Sequence, residues 1–437
     1  MKKNSTKEVG DIGDIMYQWA QDLFPICRSL TGPGVRYTLN YIKDLLPGLR
    51  IDSFSSGEKV FDWVIPEEWI IRDAYISNEN GERVVDFQIN NLHVVGYSEP
   101  VDQWFTLDEL HEYLHSLPEQ PDAIPYVTSY YERRWGFCLS DNQRKKLNAG
   151  RYHVVIDSDL APGKMNYAEL ILPGTSSQEV LLSTYICHPS MANNELSGPV
   201  VTTSLAKWLM DLPERKYTYR IIFVPETIGA IAYISKNLHT LKKNTIAGFQ
   251  ITCVGDDRCY SYLPSRSGDS LSDHAALHVL KNLDPDFKSY SFLNRGSDER
   301  QYCAPGVDLP IASIMRSKYH EYPEYHTSLD NLDFITSQGL LGGYTALRKA
   351  IEVIEKNCIP KVTVLCEPQL GLRGLYPNLS SKINSDDKDI MMNFIAYCDG
   401  SKTILEIAEV IEVPVWELFI VYDLLNEQGL VEHKENI

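Results

Sequence analysis

Val180 to Trp208, VLLSTYICHPSMANNELSGPVVTTSLAKW, is the stretch on which the fold turns. It opens as a mainly apolar run from Val180 to Ile186, the pattern of a strand buried on both faces. Cys187 and His188 fall where that strand should end. A polar loop follows, and Ser197-Gly198-Pro199 opens a helical periodicity carried by Val200, Val201, Leu205, Trp208 and Leu209. Strand, polar loop with a histidine, Ser-Gly and helix is how open α/β sheets place chemistry outside the carboxyl ends of their strands. Taken alone, His188 reads as a loop histidine bonded to backbone; the later segments below change that.

Two later segments repeat the layout. Ile221 to Val224 is a buried strand ending in Pro225-Glu226-Thr227-Ile228-Gly229, with a helix after it. An apolar neighbourhood there would raise the pKa of Glu226 toward general-base use; the plainer alternative is a carboxylate at a helix N-terminus, favoured by the dipole. Phe249 to Val254 is a further buried strand, ending in Gly255-Asp256-Asp257. RGSDERQYCAPG then brings Asp298 and Glu299, and EYPEYHTSLDN brings Tyr325 and His326, with Asp330 placed four residues on to orient the imidazole. Histidine, acidic residue and histidine from separate strand ends form a metal-hydrolase constellation.

Around this centre the chain divides. Residues 14 to 47 read as two helices. From Phe54 the strands become short, aromatic and β-branched, an antiparallel β unit interrupted by one helix at Thr106 to Leu117. Near Gly150 the α/β pattern returns and runs to a long helix at Ile335 to Lys356. The expected division is a discontinuous α/β domain at 1–54 and 151–378, an inserted β-rich domain at 55–150, and a tail at 379–437. Three short helices and a stop at Gly429 make the tail resemble a winged helix.

The totals restrict partners. With 437 residues and a net charge of -18, nucleic acid and anionic membranes are disfavoured. From residue 378 onward there are four lysines and no arginine against twelve acidic residues, the wrong sign for phosphate contacts. A packing or homo-oligomer role is the expectation for the tail. No apolar run approaches the ~18 residues of a membrane-spanning helix. The N-terminal MKKNSTKEVGDIGD has no apolar core of a signal peptide. Nine cysteines without a CxxC pair fit a reducing, cytoplasmic setting.

His188, then Asn194-Glu195-Leu196-Ser197-Gly198, Glu226-Thr227, Thr252-Cys253-Val254-Gly255, Ser297-Asp298 and Tyr325-His326-Thr327 resemble, in order, the motifs of the zinc aminopeptidases of the bacterial leucyl aminopeptidase and glutaminyl cyclase superfamily. More closely, and over essentially the whole chain, CHPSMANNELSG, PETIGAIAY, GSDERQYC and PEYHTSLDN resemble a bacterial aminopeptidase-like family with an inserted β domain and a C-terminal winged helix. The resemblance implies a zinc-exopeptidase-like mixed sheet with helices on both faces. It implies His188 and His326 as metal ligands, Asn194 at the place of the metal-bridging aspartate, and Glu226 as general base. A small peptide or aminoacyl-type substrate would be bound among Asp256, Asp298, Glu299 and Tyr325, with Asp298 or Glu299 pairing its free amine.

Three departures stand out. Asn194, Thr227 and Thr252 replace anionic ligands that would offset about four positive charges in a two-zinc site. The expectation is therefore one zinc per chain. A binding or scaffold protein that has lost the chemistry, or a hydrolase of a non-peptide amide such as an amino-sugar derivative, are the other readings. Aromatic residues of the inserted unit (Trp63, Trp69, Tyr130, Tyr131, Trp135) would either wall the cleft or fill that unit's own core. A competing metal motif, His111-Glu112-Tyr113-Leu114-His115, needs both histidines on one helix face.

Overall fold

The protein is described from a computed structural model covering residues 5–375 and 385–434. Residues 1–4 of the N-terminal stretch read as lacking a signal peptide, and the domain boundary expected at 378/379, lie outside the described residues. Two compact units are present: Met1–Ser270 with Lys288–Thr345, and Leu271–Phe287 with Ala346–Ile437.

The first unit is built on an eight-stranded mixed sheet. Its strands are β1 (Arg50–Ser55), β2 (Lys164–Leu172), β3 (Glu179–Tyr185), β4 (Thr218–Val224), β5 (Thr245–Gln250), β6 (Ser261–Leu263), β7 (Lys288–Ser289) and β8 (Ile311–Met315), in the spatial order β1-β2-β4-β3-β5-β8-β6-β7. The four central strands β4, β3, β5 and β8 run parallel, whereas β1 and β2 pair antiparallel at one edge. All seven residues of β3 are buried, as the quoted apolar run predicts. Its successors β4 and β5 lie on opposite sides of it, the arrangement that opens a crevice at the strands' carboxyl ends. Two N-terminal helices, α1 (Ser5–Leu23) and α2 (Pro33–Leu45), precede the sheet; α3 (Ser197–Asp211) follows β3 and α4 (Ile228–Asn244) follows β4. Gly198 explains the Ser-Gly at the start of α3: a Cβ there would lie 2.5 Å from the Ile251 carbonyl oxygen and 2.5 Å from Thr184 Oγ1.

The inserted β unit is a four-stranded antiparallel sheet whose longest pair is Glu68–Asn78 with Arg151–Ala161. The strand at 151–161 therefore pairs with the insertion rather than the main sheet, carrying the limit of the inserted sheet from the expected 150 to 161. Its burial alternates, with Tyr152, Val154, Ile156 and Ser158 inward, because one face of an antiparallel sheet can remain wet. The expected helix over Thr106 to Leu117 stops at Leu110; His111–Tyr113 is a 3₁₀ turn and Leu114–His115 a short strand paired with Phe137–Cys138. His111 and His115 share no helix face, which removes the competing metal motif. No described helix is long and apolar enough to cross a membrane.

In the second unit, helices Ser385–Tyr397, Ile404–Ile411 and Val415–Glu427 are followed by the strand Val431–His433, which pairs antiparallel with Pro360–Val362. The helix Leu271–Leu283 belongs to this unit and contributes the buried His278. Its Nε2 accepts from the Val415 N–H at 2.9 Å and its Nδ1 meets Glu409 Oε1 at 2.6 Å. The ring must be neutral at Nε2 to accept that bond. Burial lowers the His278 pKa, with Glu409 opposing. A histidine whose folded pKa lies below its unfolded value of about 6.5 contributes stability that is full above that value and lost as pH falls beneath it. Amide-exchange protection at Val415 should fall between pH 7.5 and 5.5 in the full chain, and a flat protection factor would contradict this pairing.

Candidate active site

The carboxyl ends of β3 and β4 deliver His188 and Glu226, and the loop after β8 delivers His326. Directly after β3, Cys187 and His188 leave the sheet, and a π-helical turn at Ala192–Leu196 leads into α3. Asp330 holds that turn: its carboxylate accepts the N–H groups of Ala192 (3.1 Å), Asn193 (2.6 Å) and Asn194 (2.9 Å) and the Tyr322 hydroxyl (3.1 Å). Burial pushes the Asp330 carboxyl up to about 6 despite these donors. Asp330 thus organises the loop carrying Asn194 instead of orienting His326.

Glu195 does the orienting, on His188. It is fully buried, and its Oε2 accepts both the backbone N–H (3.0 Å) and Nδ1 (3.1 Å) of His188. Behind it, Arg28 donates from Nε to Glu195 Oε1 (3.1 Å) and to the His188 carbonyl (3.0 Å), and from Nη1 to the Leu23 carbonyl (2.8 Å). A carboxylate on Nδ1 fixes the tautomer and leaves Nε2 free for other work. That Nε2 lies 3.5 Å from Glu226 Oε2. Burial pulls the His188 pKa down, but Cys187, Glu195 and Glu226 outweigh it and hold the imidazole well above the usual histidine value.

Glu226 sits just beyond β4, about one-fifth exposed, with its N–H donating to Cys187 Sγ at 3.2 Å. Burial raises its pKa, opposed by His188 and Arg300. Thr227 follows at φ 64° and ψ -81°, with the Ile228 N–H donating to the Glu226 carbonyl at 2.9 Å. This is a strained γ-turn, and such outliers gather at functional sites. Asp298 braces it by accepting the Thr227 N–H at 2.7 Å. Asp298 is fully buried, and burial together with Glu226 lifts its carboxyl well above the ordinary range.

His326 comes from the loop after β8, at φ 56°, with its ring stacked on Tyr325 at 3.9 Å and edge-on to Tyr126 at 5.2 Å. Burial, then His188 and His320, drive its pKa well below 6.5, so the ring is neutral. Its Nε2 is buried without a partner, as is Asn194 Oδ1. The His188 and His326 ring centroids are 5.5 Å apart.

A cavity of about 330 Å³ joins these groups, lined by His188, Glu226, Arg300, His326 and aromatic side chains of the inserted unit. Trp63, Tyr126, Tyr130 and Tyr131 wall it, whereas Trp69 is buried on Tyr97 and Trp135 stacks on Tyr113. A larger cavity of about 590 Å³, beside Phe24, Tyr37 and Ile89, has no carboxylate or histidine in its lining and offers no comparable chemistry.

The structure thus gathers His188, Glu226 and His326 on one cavity, whereas Asn194, expected among the metal ligands, is buried outside its lining with Nδ2 bonded to the Tyr185 hydroxyl. It places Asp256, Asp298, Glu299 and Tyr325 outside the cavity lining. Asp256 is spent on Arg258, Ser317 and Asn193. Glu299 Oε1 accepts from Gly296, Ser297 and the Tyr319 hydroxyl. Sequence reading missed Arg28, Tyr126 and Arg300. Arg28 lies 160 residues from His188 and had no local signal.

For one divalent cation the candidate donors in the cavity are Nε2 of His326, which has no partner, and Nε2 of His188, 3.5 Å from Glu226 Oε2; Asn194 Oδ1 is buried without a partner outside the cavity lining. A second would need Thr227 and Thr252, whose hydroxyls are taken: Arg300 donates to Thr227 Oγ1, and Thr252 Oγ1 bonds the Tyr185 hydroxyl (2.6 Å) and the Asn194 carbonyl (3.2 Å). Cys187, His188 and Glu195 also bring donor atoms within 4.8 Å of one another, but Glu195 is already paired with Arg28.

The mixed sheet with its parallel centre and the crevice at β3 define an aminopeptidase-type α/β fold, and comparison with solved structures agrees. A zinc aminopeptidase from Bacillus subtilis superposes with a TM-score of 0.58 at 11% identity, covering 78% of this chain and 94% of that one. Residues 17–357 match the family described as Domain of unknown function (DUF4910), and the chain belongs to that family. Residues 358–433 match a winged helix-turn-helix family. A Clostridium acetobutylicum protein, provisionally named for polysaccharide biosynthesis with an aminopeptidase-like domain, is 44% identical over 410 residues, 93% of this chain and 92% of its own. A crystal structure of a provisionally assigned peptidase from the same organism matches with a TM-score of 0.92 at 41% identity, over 98% of both chains.

Proposed function

We propose that the protein is a metal-dependent amide hydrolase that cleaves an N-terminal peptide bond or a related amide, with Glu226 as the general base. The observation carrying this reading is that Glu226, 3.5 Å from the oriented Nε2 of His188, lines the same cavity as His326, whose Nε2 has no partner. His188, His326 and Asn194 would hold a single zinc ion, which when bound supplies Lewis-acid polarisation of the amide carbonyl. Glu226 takes a proton from the attacking water and returns it to the leaving nitrogen, so that water and amide become acid and amine. Glu195 and Arg28 keep His188 in register. Trp63, Tyr130 and Tyr131 limit solvent and select the substrate.

The provisional name of the Clostridium relative favours a non-peptide amide, such as one on an amino sugar, within the same mechanism. A binding protein that has lost the chemistry is favoured by the neutral Asn194, Thr227 and Thr252. All nine cysteines are free, in keeping with a cytoplasmic location. The acidic winged unit serves packing or self-association, with neither nucleic acid nor membrane as partner.

Elemental analysis of the purified chain decides between the readings. About one zinc per chain, lost in the His188→Ala/His326→Ala double variant, is expected. Zinc retained by that variant, or absent from the wild type after incubation with the metal, would overturn the hydrolase reading.

A further inference from the structure

A hydrolase that requires a free α-amine needs a carboxylate in its pocket to pair with the ammonium. Among the described residues Glu226 is the only acidic one in the cavity lining, and the reaction uses it. Asp298 and Glu299 are both fully buried and do not line the cavity; Asp298 Oδ1 accepts from the Thr227 N–H and Glu299 Oε1 from Gly296 and Ser297, and the second oxygen of each is enclosed away from the cavity without a partner. The pocket carries an arginine instead. Arg300 lines it on the side of Glu226, Thr227 and Ile228, where the 17-residue helix α4 begins.

Arg300 donates from Nη2 to Thr227 Oγ1, which fixes the plane of the guanidinium. Its Nε is buried without an acceptor, and among the described residues no carboxylate oxygen lies within 4.0 Å of it. An arginine that lines the cavity, held by a neutral hydroxyl and with a helix N-terminus beside it, is suited to an anion. The flat guanidinium fork matches a carboxylate in particular, because two parallel N–H donors meet two coplanar oxygens. Arg300 is the one permanent cation in the lining among the described residues, and its charge already acts on Glu226 and Asp298, so it suits a singly charged carboxylate better than a phosphate monoester.

We infer that Arg300 anchors a carboxylate on the substrate, so that the bond cleaved belongs to an N-acyl amino acid or a comparable acid whose carboxylate lies close to the scissile amide, not to a substrate recognised by its free amine. This rests on the hydrolase reading of the same pocket. The aromatic walls supplied by Trp63, Tyr130 and Tyr131 favour a flat or aromatic side chain within about 330 Å³.

The test uses the full chain with equimolar zinc and three probes: N-acetyl-L-phenylalanine, the neutral N-(2-phenylethyl)acetamide, and leucine p-nitroanilide. Binding is measured by calorimetry in a Glu226→Gln background and turnover in the wild type. The acid should bind, the neutral amide should bind far more weakly, and Arg300→Gln should weaken the acid about 100-fold while leaving the neutral probe unchanged. Arg300→Lys, which keeps the charge and loses the fork, should fall between. Thermal unfolding equal to that of the parent establishes that both variants fold. Arginine-dependent binding without turnover would uphold the carboxylate anchor at Arg300 and remove the hydrolase reading together with the cleavage assigned to it. Equal binding of the acid and the neutral probe, an Arg300→Gln variant that binds the acid normally, no binding at all, or turnover of leucine p-nitroanilide alone would each overturn the inference.

Discussion

Glu226→Gln is expected to lower kcat/KM for the amide substrate by about 10³-fold with little change in KM, the loss typical of removing a positioned general base. Glutamine keeps the volume and can still face His188, but it cannot take the proton of the attacking water. The exchange should leave folding intact, because the carboxyl it replaces is mostly enclosed and already destabilised as an anion by that enclosure. Steady-state kinetics beside a thermal melt and a zinc determination separate chemistry from folding and metal loss. A variant that retains more than a tenth of the activity, folded and loaded, would assign the proton transfer to another group.

Arg28→Met should lower the unfolding free energy by about 3–5 kcal/mol, the usual consequence of removing one partner from a buried ion pair. Arg28 and Glu195 both have completely buried side chains. Methionine fills much of the space but leaves the Glu195 carboxylate without its counter-charge, and it also deprives the Leu23 and His188 carbonyls of their donor. Adding Glu195→Leu should recover a large part of the loss, since replacing both charges by apolar groups removes the uncompensated one. Urea unfolding of the wild type, both single variants and the double variant supplies the cycle. A single-variant cost below about 1 kcal/mol would mean that solvent reaches this pair. The double variant should also bind zinc less tightly, because nothing then fixes the His188 tautomer.

The pattern of burial was open to reading where it depended on local sequence. The run through β3 is apolar because a central parallel strand is covered on both faces, and Arg151–Ala161 alternates because its sheet is covered on one. That alternation was the available sign that the strand belongs to the inserted sheet. The helix expected over Thr106 to Leu117 failed for a different reason. Leu107, Leu110 and Leu114 keep a helical spacing, yet Leu114 and His115 gain strand partners in Phe137 and Cys138, and a long-range pairing outweighs a weak local preference.

By itself the sequence determined the central strands and helices from Glu179 to Asn244, the winged tail, and the placement of His188 and Glu226 directly after buried strands, because each follows a periodic element; it did not show the short strands Ser261–Leu263 and Lys288–Ser289. Tertiary structure alone decided what surrounds them. Arg28 reaches His188 across 160 residues, Asp330 is diverted to the turn of Asn194, and Asp298 is drawn beneath Thr227 while its neighbour Arg300 reaches the cavity. These roles come from packing between elements distant in the chain, where the need to pair every buried charge and donor, and not any local spacing, selects the partner.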